Sequence, residues 1–162
     1  MANKKTDSRI ALLIEILDQA FEKQAWHGTN LRGSIRGLSV KQLLWRPSLK
    51  RHNIWEIVLH TAYWKYAVRR RLTGGEKGSF PRSPSDWPRI PECPDSKAWK
   101  LDLALLVEHH KLLRQAIIDF PPSKLYSPPP ISKLKYVHLI YGISSHDLYH
   151  AGQIQLLKRM QK

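Results

Sequence analysis

Hydrophobic side chains recur every three or four residues along most of the chain, a spacing that places them on one face of an α-helix. The pattern predicts a first helix over residues 7–38, capped by Thr6 or Asp7, with a bend or a break near Gly28. A short helix is predicted to begin at Ser39. Three longer helices are predicted over residues 53–73, 95–120 and 132–160.

The predicted helix over residues 53–73 has the clearest boundaries. Asn53 is a good N-cap, and Glu56, three residues later, completes a capping box. Gly74 is a good helix terminator. The apolar side chains between these ends cover most of the helix circumference, which is typical of a helix that packs on several sides.

Residues 74–95 are predicted to form a long ordered loop, because proline recurs there too often for a helix. Phe80 and Trp87 are candidate anchors, and the loop is long enough to cover a pocket. No segment has the clear alternation that is typical of a β-strand. Four long helices in 162 residues predict an all-α fold, a four-helix bundle in a single domain over residues 1–162.

The charge of the chain is strongly positive, with 27 Lys and Arg against 13 Asp and Glu, a formal charge of +14. Such a charge could serve nucleic-acid binding. However, Arg69, Arg70 and Arg71 spread over about 200° of a helix, and the other basic residues are scattered. We therefore favour a solvated basic surface that attracts anionic small molecules, and we do not expect nucleic acid as a partner.

Cysteine content and hydropathy limit the possible cellular location of the protein. Cys93 is the single cysteine, which excludes an intrachain disulfide and a cysteine-rich zinc module, and we interpret it as an incidental thiol. No run of about 18 apolar residues is present, so no membrane span is expected. The first nine residues lack an apolar signal core. Together these features predict a cytoplasmic protein.

The candidate chemistry lies in the last predicted helix, where His146 and His150 are four residues apart. Their directions differ by only about 40°, so both imidazoles can reach one metal ion. The alternative is a pair of core histidines that hydrogen-bond to neighbours or water. His60 is the favoured third ligand because it lies in the middle of the most apolar predicted helix. The histidines predicted to be solvated are His52, His109 and His110.

Two segments carry a resemblance to a known family. Residues 146–159, His-Asp-Leu-Tyr-His-Ala-Gly-Gln-Ile-Gln-Leu-Leu-Lys-Arg, closely resemble the C-terminal helix signature of the DinB-like, or YfiT-like, superfamily. Residues 53–60, Asn-Ile-Trp-Glu-Ile-Val-Leu-His, resemble its second-helix signature. Similar elements around Trp26 and Trp45 extend the resemblance over nearly the whole chain.

The resemblance implies a bundle in up-down-down-up order and a divalent metal ion, nickel or zinc, bound by His60, His146 and His150. Because characterised relatives include thiol-dependent transferases and isomerases, it also implies a small-molecule enzyme that uses a low-molecular-weight thiol. We expect an S-transferase or a related metal-dependent enzyme such as a hydrolase, assembled as a homodimer. The alternatives are a metal-stabilised scaffold without turnover and a basic nucleic-acid-binding protein.

Five further residues are candidates for the surroundings of the metal: His27, Trp64, Asp147, Tyr149 and Gln153. Gln153 lies one turn past His150 and could orient a ligand. Asp147 points about 100° away from His146, so a surface carboxylate is slightly favoured over a supporting role. Trp64 and Tyr149 could line the cavity or be ordinary core aromatics. The sequence identifies no catalytic base.

Overall fold

The protein is described by a computed structural model that covers residues 6–161. This part of the chain is all-α and contains no β-strand. A single 3₁₀ turn, Pro122–Lys124, follows the fifth helix. The helices are α1 (Ser8–Phe21), α2 (Leu31–Ser34), α3 (Val40–Leu44), α4 (Ile54–Thr73), α5 (Ser96–Ile118) and α6 (Tyr136–Met160).

The four long helices form the bundle. α4 packs against α5 and α6, and α1 packs against the same two helices from the opposite corner. Two buried clusters fill the interior, one around Trp55, Leu106 and Ile154, and the other around Leu17 and Ile140. The predicted all-α bundle is therefore confirmed.

α4 and α5 advance in the same direction. Trp55, near the start of α4, donates a hydrogen bond of 2.9 Å to Asp102 in the first third of α5, and the rings of Tyr66 and His109 meet further along, 5.8 Å apart. Parallel neighbours need a connection that returns along the bundle, which residues 74–95 supply as an ordered loop. The complete up-down-down-up order stays a prediction.

The caps of α4 lie where the sequence predicts them. The Asn53 side chain accepts a hydrogen bond from the Glu56 amide, and the Glu56 side chain accepts one from the Asn53 amide. At the other end Gly74 adopts a left-handed conformation with φ +72°. Both ends are defined by local hydrogen bonding, which explains why the pattern alone identified them.

The first predicted helix, over residues 7–38, is not continuous, and of the bend or break expected near Gly28 the structure has the break. α1 is capped by Asp7 and ends at Phe21. Gly28 then adopts a φ of +96°, a conformation that favours glycine and interrupts any helix. Leu31 in α2 is nonetheless fully buried and belongs to the same core cluster as Phe21 at the end of α1.

The other boundaries differ less. α3 begins after its cap Ser39, as predicted, whereas α6 begins at Tyr136, four residues later than predicted. Ile131, with φ +61°, lies in the connection that precedes α6. Within residues 6–161 no helix has an apolar run long enough to cross a membrane. The expectation about a signal core concerns a segment whose residues 1–5 lie outside the described part.

Candidate metal centre

Three imidazoles converge between α4 and α6. His60 comes from the first half of α4, whereas His146 and His150 come from successive turns of α6. The Nε2 atom of His146 lies 3.1 Å from the Nε2 atoms of both His60 and His150. One ring nitrogen from each residue falls within 4.8 Å of the others.

The outer nitrogens of two of these rings determine their tautomers. His60 Nδ1 lies 2.7 Å from the backbone carbonyl of Asp86, and His150 Nδ1 lies 2.7 Å from the side-chain oxygen of Gln153. Because both oxygens can only accept, both Nδ1 atoms carry the proton. The Nε2 lone pairs of His60 and His150 therefore point towards His146.

In this arrangement the three rings carry too few Nε2 protons for a hydrogen bond at each of the two Nε2–Nε2 contacts. His146 has one Nε2 proton at most when it is neutral, so it can donate to only one of its two neighbours at a time. Its own Nδ1 atom is buried and has no hydrogen-bond partner among the described residues. The converging lone pairs at Nε2 are what a shared cation would relieve.

Electrostatics favour the neutral, ligand form of each ring. Burial lowers the pKa of His146 to about 3, with the neighbouring imidazoles and Lys65 acting in the same direction. Burial also lowers the pKa of His150 to about 4 and shifts the pKa of His60 downwards. At neutral pH all three rings are uncharged, as metal coordination requires.

The spacing also fits a divalent ion. Imidazole nitrogens about 2.0–2.1 Å from a shared zinc ion lie roughly 3 Å apart, close to the 3.1 Å that separates His146 Nε2 from each of the other two Nε2 atoms. Imidazole suits nickel as well as zinc. Three protein ligands leave at least one coordination position free, which is typical of a catalytic rather than a structural site.

The three histidines border a cavity of about 610 Å³. Its walls come from the segment before α4, from α4 itself, from the proline-rich loop and from the second half of α6. Apolar side chains predominate beside the imidazoles, notably Ile57, Trp87 and Leu157. The cavity is large enough for a small organic molecule.

The proline-rich loop reaches the centre through two adjacent residues. Trp87 stacks on His60 with ring centroids 3.8 Å apart and an interplanar angle of 13°. Asp86 has φ +69° and accepts hydrogen bonds at its carbonyl from His60 and at its carboxylate from Trp64 Nε1, the latter at 2.7 Å. Part of the support for His60 therefore comes from a segment 26 residues away.

The other predicted site residues differ in how close they lie to the three imidazoles. Gln153 contacts His150 directly, and Tyr149 lines the cavity although 65% of its surface is exposed. Trp64 lies beside the centre, with its ring centroid 6.3 Å from that of His146. His27, in contrast, is exposed between α1 and α2 and does not line the cavity.

Asp147 is not a surface carboxylate, and that interpretation is wrong. It is fully buried and forms an ion pair with Lys65, which is equally buried. The pair connects α4 to α6 on the side of α6 turned away from His146. The sequence did contain an indication of a buried ion pair. Lys65 interrupts the most apolar stretch of the chain, and a buried cation needs a partner.

The prediction that His109 and His110 are solvated is also wrong. Only 6% and 2% of their surfaces are exposed, and His110 stacks on Phe21 at 3.7 Å. The charged neighbours Glu108 and Lys111 suggested a polar stretch, but they occupy the opposite, exposed face of α5. His52 is about half exposed, yet it lines the cavity and contacts Glu56, which the sequence reading did not anticipate.

Comparison with known proteins identifies one family. The model that describes the DinB superfamily matches residues 24–154, which include all three converging histidines. No curated protein sequence and no solved structure matches the chain.

Proposed function

The chain belongs to the DinB superfamily, and from this membership and its three converging imidazoles we propose that it is a metal-dependent small-molecule enzyme, a thiol-dependent S-transferase. The metal would be a divalent ion, nickel or zinc. His60, His146 and His150 would hold it through their Nε2 atoms.

The observation that carries the proposal is the position of three neutral imidazoles at the wall of a cavity. A structural zinc site has four protein ligands and is closed. Among residues 6–161 the group of potential ligands comprises three histidines, and these border about 610 Å³ of space. A small molecule in that space can reach the centre.

The protein residues have separable tasks in this proposal. When bound, a divalent ion supplies positive charge that stabilises a thiolate. Asp86 and Gln153 hold two of the imidazoles in the ligand tautomer. Trp87 and Leu157 provide an apolar wall that binds the organic part of a substrate and excludes water.

The net charge of +14 supports an anionic substrate or thiol. A positive surface raises the rate of encounter with anions and acts at long range, without a dedicated binding site. Arg51, at the cavity wall, is the cation nearest to the proposed chemistry among the residues that line it.

The test is a transfer assay on protein loaded with nickel or zinc. Aliphatic and aromatic thiols are combined with alkyl halides, epoxides and activated alkenes, and thioether products are measured by mass spectrometry. We expect transfer that His146→Ala abolishes and His138→Ala, on the same helix, leaves intact. Metal-loaded protein that is inactive with every thiol and acceptor would contradict the proposal and favour the scaffold alternative.

A further inference from the structure

His52 occupies a special position beside the metal centre. It lies in the segment before α4 and lines the same cavity as the three converging histidines. Its ring stacks on the indole of Trp87 with centroids 3.6 Å apart and an interplanar angle of 5°. The same indole also stacks on the ring of His60. The thickness of one indole ring therefore separates His52 from the nearest predicted ligand.

The tautomer of His52 is set by Glu56. His52 Nδ1 lies 3.2 Å from Glu56 Oε2. Arg46 donates two hydrogen bonds of 2.7 Å to the same carboxylate, and the Asn53 amide donates a third. Burial acts to raise the pKa of Glu56, but these hydrogen bonds prevail and lower it. An ionised carboxylate can only accept, so His52 carries a proton on Nδ1, and in the neutral ring the lone pair is therefore on Nε2.

The Nε2 atom of His52 is not committed elsewhere. None of the hydrogen bonds among residues 6–161 involves it, and His52 is not part of the three-histidine group. Other titratable side chains of the cavity wall are unsuited to accept a proton. A guanidinium such as that of Arg51 has no acceptor lone pair, and the Nε2 lone pairs of His60 and His150 point towards His146.

We propose that His52, oriented by Glu56, is the general base that removes the proton from the thiol. The inference rests on the proposed thiol transfer. The S–H bond breaks and its proton passes to His52 Nε2. A sulfur electron pair forms the bond to the electrophilic carbon of the acceptor. The displaced electron pair leaves with the leaving group of a halide or epoxide, or passes from the π bond of an activated alkene to the neighbouring carbon, which then takes a proton. His52 then returns the proton to the leaving group or to water, and no redox partner is needed.

The arrangement matches the requirements for general base catalysis. A base needs a free lone pair within reach of the substrate and a second group that fixes its orientation. Glu56 provides that orientation, and its two bonds to Arg46 keep it from taking the proton itself. A divalent ion held by His60, His146 and His150 would supply the positive charge that stabilises the thiolate.

The first test is the tautomer of His52 in the metal-free protein. We expect side-chain ¹⁵N NMR to show a protonated Nδ1 and an unprotonated Nε2. In Glu56→Gln the amide can donate as well as accept, so both tautomers should become populated, while the glutamine still completes the capping box of α4. An Nε2-protonated His52 in the wild-type protein would overturn the proposal without any activity measurement.

The second test uses His52→Gln in the metal-loaded protein. With an aliphatic thiol we expect kcat to fall about 10²–10⁴-fold, with metal stoichiometry and KM nearly unchanged. With an aromatic thiol that is already ionised at the assay pH, the loss should shrink to a few-fold, because no proton needs to be removed. His138→Gln, outside the cavity, serves as the control.

The outcomes separate the two hypotheses. An active wild type with an unaffected His52→Gln variant overturns the role of His52 and leaves the transferase proposal standing. An equal loss with both thiols shows that His52 acts structurally and also overturns the inference. A metal-loaded wild type without transfer activity removes the transferase proposal, and the role of the base with it.

Discussion

Two clusters of buried titratable side chains lie within a few residues of each other in this bundle, and they differ in what they face. The three-histidine centre opens onto a cavity. The second cluster, formed by Lys65, Asp147 and His110, is sealed in the core, where Lys65 also lies 4.8 Å from the ring centroid of Phe21. His146 and Asp147 are neighbours in sequence, yet each belongs to a different cluster.

The comparison shows that a perturbed pKa alone does not mark a functional site. Burial, with a further contribution from Lys65, lowers the pKa of His110 to about 3, the same value as for His146. Both rings are more than half buried, but only His146 has other imidazoles and a cavity beside it. Access for a ligand distinguishes the two clusters, and their variants should therefore fail in different ways.

The largest expected effect is on metal binding by the open cluster. His60→Ala or His146→Ala removes one of three ligands, so affinity for nickel or zinc should fall by more than about 100-fold, beyond the usual effect of losing a supporting contact. Elemental analysis and titration calorimetry measure the bound metal. Stoichiometric metal retained by both variants would rule out the three-histidine assignment, and His110→Ala should bind metal like the wild type.

Substitutions in the sealed cluster should lower the free energy of unfolding of the protein. Lys65→Met leaves the Asp147 carboxylate buried without its cation, so the free energy of unfolding should fall by about 3–5 kcal/mol. Urea unfolding of the metal-free protein, followed by circular dichroism, gives this value. Lys111→Met, at an exposed position of α5, should change it by less than about 0.5 kcal/mol.

A double variant sharpens this result. Lys65→Met combined with Asp147→Leu removes both buried charges, and most of the lost stability should return. The folded fraction of Lys65→Met should still bind one metal ion, because Lys65 does not contact the three imidazoles. A Lys65→Met protein as stable as the wild type would show that the ion pair does not stabilise the core.

A smaller effect is expected for the support of His150. Gln153→Leu removes the acceptor of the His150 Nδ1–H group, so metal affinity should fall about 10–100-fold. Competition with a chelator measures the change. Gln155→Leu is a matched control, because Gln155 is on the same helix but hydrogen-bonds to Thr29. Equal affinities of the two variants would contradict the role of Gln153.

The last expected effect is a pH dependence of stability, to which both clusters contribute. His110 and His146 have folded-state pKa values of about 3, and His150 of about 4, against 6.5 for an ordinary histidine. Between these values the unfolded chain binds protons that the folded chain does not. Stability of the metal-free protein should therefore be highest above pH 6.5 and fall on acidification, by about 1.4 kcal/mol per pH unit for each histidine.

His110→Phe isolates the contribution of the sealed cluster to this slope. The aromatic stack on Phe21 is retained while the titrating group is removed. The slope of stability against pH between pH 6 and pH 4.5 should therefore decrease by about 1.4 kcal/mol per pH unit. Denaturant titrations at a series of pH values measure it. An unchanged slope would mean that His110 is protonated in the folded protein as readily as in the unfolded one.

Local signals in the sequence predicted some elements well. The bounds of α4 follow from Asn53, Glu56 and Gly74, whose effects act within one helical turn. The convergence of His60 on His146 and His150 needed more, namely helical spacing together with a family resemblance. Where only hydrophobic spacing was available, as over residues 7–38, the prediction could not decide between a bend and a break near Gly28, and it did not locate the ends of α1 and α2.

Contacts made across the fold could not be predicted in the same way. The burial of Asp147 depends on Lys65, which lies 82 residues away, and no local pattern links the two. The approach of Asp86 and Trp87 to His60 depends on the path of a loop whose conformation hydrophobic periodicity does not describe. The candidate ligands could thus be predicted, whereas the groups that orient them, Gln153 excepted, could not.

The contact between the proline-rich loop and His60 couples the opening of the loop to the binding of metal. Any opening of the loop that separates Asp86 from His60 frees the imidazole to rotate, so an open conformation binds metal more weakly than the closed one. By thermodynamic reciprocity, metal binding must then favour the closed loop by the same factor. Protease cleavage and amide exchange within residues 74–95 should slow when the metal is added, so the loop reports on occupancy of a centre to which it contributes no ligand.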